Sequence, residues 1–140
     1  MKYEPGELKV VTYKNGRKWA ENTVKTTDKP AMLLTSTDRK IIKADGKDLA
    51  FITVQISDKD GLMVPRLNNL IEFSIEGPGE IVATDNGDQI NMVSFSSKER
   101  EAFNGLALVV VRSLAGASGS ITVKAKSSGL KESSVKIESK

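Results

Sequence analysis

Between residues 49 and 57 the chain alternates strictly. Ala50, Ile52, Val54 and Ile56 fall on one side, and Phe51, Thr53 and Gln55 on the other. A period of two marks a strand with one buried face. The alternation recurs at 70–76, where Ile71, Phe73 and Ile75 oppose Glu72, Ser74 and Glu76. Residues 106–113 are apolar on both faces, which predicts a central strand whose core side is Ala107, Val109 and Val111, with Arg112 outward. Ile121, Val123 and Ala125 define another strand, and Val135 with Ile137 anchors a last, lysine-rich one. A strand is predicted at 31–35, broken by Ser36-Thr37-Asp38 and resumed briefly at Ile41-Ile42. Helix-compatible sequence occurs only at 97–101 (SKERE), predicted as a single turn.

Turn signals punctuate these runs. Gly77-Pro78-Gly79 predicts a tight reversal, because proline fixes φ and glycine admits conformations closed to other residues. Asn86-Gly87 predicts a type I′ hairpin, since that turn needs positive φ at both central residues. The short segment from Glu80 to Thr84 between them has room for one strand. Asn15-Gly16 carries the same hairpin signal and joins runs at 8–13 and 19–26. Short strands, frequent turns and almost no helical periodicity predict an all-β fold. The division expected is a β-hairpin over 1–29, then an immunoglobulin-like β-sandwich without a disulfide over 30–140. A lone hairpin is marginal in water, so the first segment must pack against something.

Composition narrows the chemistry. The chain has no cysteine and no histidine, which removes thiolate nucleophiles, Ser-His pairs and Cys/His zinc sites together. The net charge is only +3, with basic residues in excess at 1–50 and 101–140 and acidic ones at 51–100. Lysines spaced singly along strands, with aromatics at 5%, fit solvated faces and guarded sheet edges better than a nucleic-acid surface. No apolar run approaches the roughly 20 residues of a membrane-spanning helix, so no membrane insertion is expected. The first ten residues carry no apolar signal core.

Few candidate sites survive inspection. Asp85-Asn86-Gly87-Asp88 offers oxygen ligands of the kind calcium takes, and Asp85 and Asp88 are the metal candidates. The competing reading is a turn whose aspartates accept local backbone hydrogen bonds. Asp58-Lys59-Asp60-Gly61 begins like an EF-hand loop, but Leu62, Met63 and Val64 follow where ligands are needed. Trp19 and Tyr13, on the two arms of the hairpin, are candidates for a sugar-stacking platform or for packing on an adjoining domain. Glu76 and Glu80 resemble a glycosidase carboxylate pair in spacing alone, without the deep cleft that chemistry needs.

Several runs together are similar to one family. Tyr3-Glu4-Pro5-Gly6-Glu7-Leu8, Tyr13-Lys14-Asn15-Gly16 and Val24-Lys25-Thr26 resemble the end of the sandwich module after the catalytic barrel in bacterial glycoside hydrolase family 2 enzymes, mostly β-galactosidase-like. Asp38-Arg39, Ala44-Asp45-Gly46-Lys47-Asp48-Leu49-Ala50, Val64-Pro65 and Gly77-Pro78-Gly79-Glu80-Ile81 resemble the C-terminal immunoglobulin-like domain of those enzymes. So do Asp85-Asn86-Gly87-Asp88, Ala102-Phe103-Asn104-Gly105 and Val111-Arg112-Ser113. The resemblance implies a parent that is an exo-acting retaining glycosidase with an acid/base and a nucleophilic glutamate on its barrel. A (β/α)₈ barrel takes about 250 residues, so no catalytic residue is expected in this chain, and no cofactor is implied. The partners implied are the catalytic barrel and neighbouring sandwich modules, with oligosaccharide as a second candidate, in the periplasm or at the cell surface. The alternative readings are a carbohydrate-binding module or an adhesin-type immunoglobulin-like repeat.

Overall fold

The computed structural model describes residues 4–140, so Tyr3 lies outside the described residues. Strands β1 (Glu7–Lys14) and β2 (Arg17–Lys25) pair antiparallel as a two-stranded sheet. Asn15 and Gly16 both take positive φ, 52° and 74°, as a type I′ turn requires. Alternation puts Leu8, Val10 and Thr12 with Val24, Asn22 and Ala20 on one face, and Glu7, Lys9 and Val11 with Lys25, Thr23 and Glu21 on the other. The second face carries ion pairs of Glu7 with Lys25 at 3.2 Å and Glu21 with Lys9 at 3.1 Å. The first face is uncovered, and nothing in the hairpin is fully buried.

Nine strands follow: β3 (Met32–Thr37), β4 (Ile41–Ile42), β5 (Leu49–Ser57), β6 (Leu70–Glu76), β7 (Gly79–Asp85), β8 (Glu99–Glu101), β9 (Leu106–Ser113), β10 (Gly119–Lys126) and β11 (Ser133–Ser139). They form a four-stranded sheet in the order β3-β5-β9-β7 and a five-stranded one in the order β4-β11-β10-β6-β8. All pairings between these strands are antiparallel except the short β4–β11 contact, and an isolated parallel bridge joins Met32 to Lys131. The core lies between the two sheets. Ala50, Ile52, Val54 and Ile56 of β5 and Ala107, Val109 and Val111 of β9 meet Ile71 and Phe73 of β6, Ile121 and Val123 of β10 and Ile137 of β11. At roughly 1.5–3 kcal/mol for each fully buried branched side chain, this layer is the main source of stability.

Three expectations are corrected. β3 runs on through Thr37 rather than breaking at Ser36, because its register with β5 continues to Thr37 opposite Ile52. Residues 99–101 form strand β8 instead of a helical turn; pairing with Leu70, Ile71 and Glu72 of β6 overrides a local preference worth only tenths of a kcal/mol per residue. Asn86-Gly87 is not a type I′ hairpin, since Gly87 alone has positive φ (75°). The chain cannot fold back there because the next strand, β8, belongs to the opposite sheet. The type I′ geometry appears instead at Asn104-Gly105, with φ of 52° and 81°, where Phe103 and Leu106 exchange backbone hydrogen bonds.

The Gly77-Pro78-Gly79 reversal carries the chain from β6 in one sheet to β7 in the other. Gly77 has φ of 102°, and a Cβ there would run into the Ser120 carbonyl oxygen. Only glycine fits this crossing.

Candidate functional site

The loops at one end of the sandwich contain the groups that do more than fill the core. The hairpin enters at this end. The Asp28 amide donates to Asp58 Oδ2 at 3.0 Å, and Lys59 Nζ lies 3.4 Å from Asp28 Oδ2. Asp58 is 1% exposed and also accepts the amides of Asp60 (3.0 Å) and Leu62 (2.9 Å). These N–H donors, that of Asp28 foremost, hold its carboxyl below the usual aspartate range. The residue read from sequence as part of a plain turn is therefore the tie between hairpin and sandwich.

Beside it, the turns at 65–68 and 102–105 are stitched by Gly105 N to Leu67 O and Ala102 N to Asn69 O, each 2.9 Å. A depression of about 400 Å³ opens there, lined by Arg66, Asn68, Asp88, Asn91, Glu101 and Phe103 among others. Arg66 stands on its rim with φ of 61°, a left-handed conformation costly for a long side chain.

The loop at 86–98 spans the side where β7 and β8 end the two sheets. Arg100 on β8 is 2% exposed and braces this loop from within. Its Nε donates to Thr84 Oγ1 at 3.3 Å, and its Nη1 to Asn91 Oδ1 and Val93 O, both at 3.0 Å. Its Nη2 donates to Thr84 O and Ser94 O at 2.8 Å each. The Phe95 ring sits 5.9 Å from its guanidinium carbon. Every acceptor is neutral, and the guanidinium is satisfied by the loop and by Thr84 of β7 rather than by a carboxylate. Period-two spacing between Glu99 and Glu101 was the available signal for an inward Arg100, and it is readable only once β8 is known to be a strand.

The sequence candidates distribute as follows. Asp85 Oδ1 accepts the Asn86 amide at 2.7 Å and the Gly87 amide at 3.2 Å; Asp88 Oδ1 accepts Ile90 N at 3.1 Å. Both aspartates thus shape the loop start, and among the described residues no group of three His, Cys, Asp or Glu side chains converges. In the hairpin, Lys14 Nζ stands 4.7 Å from the centre of the Trp19 ring. The concavity beside Trp19 is lined by Lys14, Asn15, Arg17 and Lys18, and Tyr13, which pairs with Lys18 across a bulge, does not line it. Glu76 lies on β6 and Glu80 on β7, in different sheets. Each is held by its own cation, Glu76 by Lys124 at 2.6 Å and Glu80 by Arg112 at 2.6 and 2.9 Å. The Lys124 ammonium keeps the Glu76 carboxyl below the usual range.

Residues 33–136 match the family described as glycoside hydrolase family 2 C-terminal domain 5. The chain belongs to this family. A β-galactosidase of Bacteroides ovatus is 39% identical over 137 residues, which is 98% of this chain and 16% of that protein. A β-glucuronidase of Formosa agariphila is 33% identical over 139 residues, 98% of this chain and 14% of that protein. Among solved structures, a glycosyl hydrolase family 2 member from Bacteroides cellulosilyticus superposes with a TM-score of 0.92 at 35% identity, covering all of this chain and 18% of that one. The family 2 domain therefore spans about one sixth of the length of these relatives. The matched segment begins within β3, while the similarity to the longer proteins takes in the hairpin as well.

Proposed function

We propose that this family 2 domain is the non-catalytic C-terminal accessory region of a β-galactosidase-like retaining glycoside hydrolase. Residues 1–29 are read as the last hairpin of the preceding sandwich module, and 30–140 as the terminal immunoglobulin-like domain. Its work is structural: packing beside the catalytic barrel, shaping the rim of the active site, or contributing to subunit contacts. The observation that carries this reading is the alignment of 98% of the chain with enzymes of which it makes up only 14–16%. The separation of Glu76 from Glu80, each neutralised by its own cation, is consistent with it. The parent enzyme is proposed to act in the periplasm or at the cell surface, which fractionation of the producing cells tests.

Catalysis is tested directly with purified 1–140 and a nitrophenyl β-galactoside. The expected result is no turnover above buffer, and measurable turnover that survives further purification rejects the reading. The complete reading frame provides the second test: a single barrel upstream is expected, and tandem copies of this unit would favour an adhesin-type array.

A further inference from the structure

The loop at 86–98 combines two properties that seldom occur together. It is held firmly, by three of its own oxygens (Asn91 Oδ1, Val93 O and Ser94 O) accepting from the buried Arg100 guanidinium and by Thr84 N to Phe95 O (2.7 Å), Thr84 Oγ1 to Ser97 O (2.8 Å) and Phe73 N to Lys98 O (2.8 Å). It also displays Ile90 at 83% exposure and Met92 at 94%, with Val93 and Phe95 exposed beside them. Ile90 and Met92 are the most exposed large apolar side chains among the described residues. A floppy loop with apolar residues would gain by collapsing onto the sandwich. A braced one cannot, and its apolar surface stays outside until another body covers it.

We propose that the 86–98 loop docks on the upstream portion of the same polypeptide, against an apolar patch on the module that precedes the hairpin. This deepens the accessory role proposed above and rests on it. Three observations select this occupant. The loop start lies on the same depression as Arg66 and Phe103, next to the turn that Asp58 ties to the hairpin foot. So the loop start and the point where the chain enters share one end of the sandwich, at opposite edges (β7 and β3) of the four-stranded sheet. The face of Leu8, Val10 and Val24 on the hairpin is likewise uncovered and needs a partner surface. The relatives that match this chain along its length hold roughly five sixths of their own residues outside it, which supplies a body large enough to cover both. The loop carries a single charge from residue 89 to 98, Lys98, so its tip suits an apolar partner surface.

The test compares amide hydrogen exchange in the protein from the complete reading frame with that in the isolated 140-residue chain, using Ile90→Ser/Met92→Ser and, as a control on the outer face of β5, Phe51→Ser. In the complete protein, amides at 89–95 are expected to exchange roughly tenfold or more slowly than in the isolated chain. Ile90→Ser/Met92→Ser should abolish that difference, and Phe51→Ser should leave it. The isolated chain should keep its melting temperature with Ile90→Ser/Met92→Ser, because neither side chain packs on the sandwich. Equal exchange at 89–95 in the two proteins overturns the proposal. If the hairpin amides alone become protected, the accessory reading stands and loop docking fails. Protection at 89–95 that appears in the isolated chain and grows with its concentration assigns the surface to a second copy and also overturns it.

Discussion

Strands β1 and β5 follow the same alternating rule and are nearly equal in length, eight and nine residues, yet their fates differ. β5 lies between β3 and β9, and Ala50, Ile52, Val54 and Ile56 are shut away from solvent. β1 pairs only with β2, and Leu8 and Val10 remain exposed. An apolar face has energetic meaning only when a second layer meets it. The sandwich contains its own second layer. The hairpin does not, and its surface ion pairs of Lys9, Lys18 and Lys25 add little. The hairpin is therefore a strand pair specified locally, with no second layer of its own among the described residues.

The largest break in this comparison should come from matched truncations. Ile52→Ala is expected to cost the 140-residue chain about 2–5 kcal/mol in denaturant unfolding, from lost burial plus a cavity. Val10→Ala on the hairpin should change it by less than about 0.5 kcal/mol. A comparable loss from Val10→Ala would mean that the hairpin packs on the sandwich after all. Next comes the brace. Arg100→Ala strands Thr84, Val93 and Ser94 carbonyls that it now satisfies, at an expected cost of about 3 kcal/mol. Arg100→Lys should recover little, because an ammonium cannot reach acceptors arranged for a planar fork. Full rescue by lysine, measured by the same unfolding curves, would contradict the geometry.

The tie between the two regions should show in pH. Asp58 has a depressed carboxyl pKa in the folded chain, so its contribution is present above the unfolded value and is lost as pH falls through the folded one. As pH falls below about 4 and through the depressed folded value, the protection factor of the Asp28 amide, its exchange relative to the intrinsic rate at that pH, should drop and the hairpin should loosen from the sandwich. In Asp58→Asn that amide should exchange fast at every pH. An Asp28 amide protected at low pH in the wild-type chain would rule out the carboxylate as the tie. A small effect of the opposite sign is expected at Ser113, whose buried hydroxyl has no hydrogen-bond partner among the described residues. Ser113→Ala should be neutral or stabilising by less than about 1 kcal/mol, seen as a slight rise in melting temperature. A clear loss would reveal a partner for Ser113 Oγ.

Much of the architecture can be read from local patterns. The strands at 49–57 and 70–76 have the extents that alternation predicts, that at 106–113 the extent of its two-faced apolar run, and Asn15-Gly16 closes its hairpin as expected. Family membership was legible too, through short runs such as Gly77-Pro78-Gly79 and Ala102-Phe103-Asn104-Gly105. The candidate site was scarcely legible. Asp58 reads as one more turn aspartate, and Arg100 reads as one more solvated charge within SKERE, because nothing in either stretch records what lies across the fold.

The two remaining Asn-Gly pairs make the division plain. Locally they carry the same signal, and at 104–105 the flanking segments pair, so the turn closes with both φ values positive. At 86–87 the strand that follows belongs to the other sheet, and the same dipeptide opens a long loop across the side of the sandwich. The sequence alone determined the long strands, the turn at Asn15-Gly16 and most inward faces, since these follow from periodicity and backbone preference. Only the tertiary structure decided that Arg100 turns inward, that Asp58 holds the hairpin and that Ile90 and Met92 stay in solvent. Each of those outcomes depends on which acceptor or surface the fold brings within reach, and that pairing joins residues far apart along the chain.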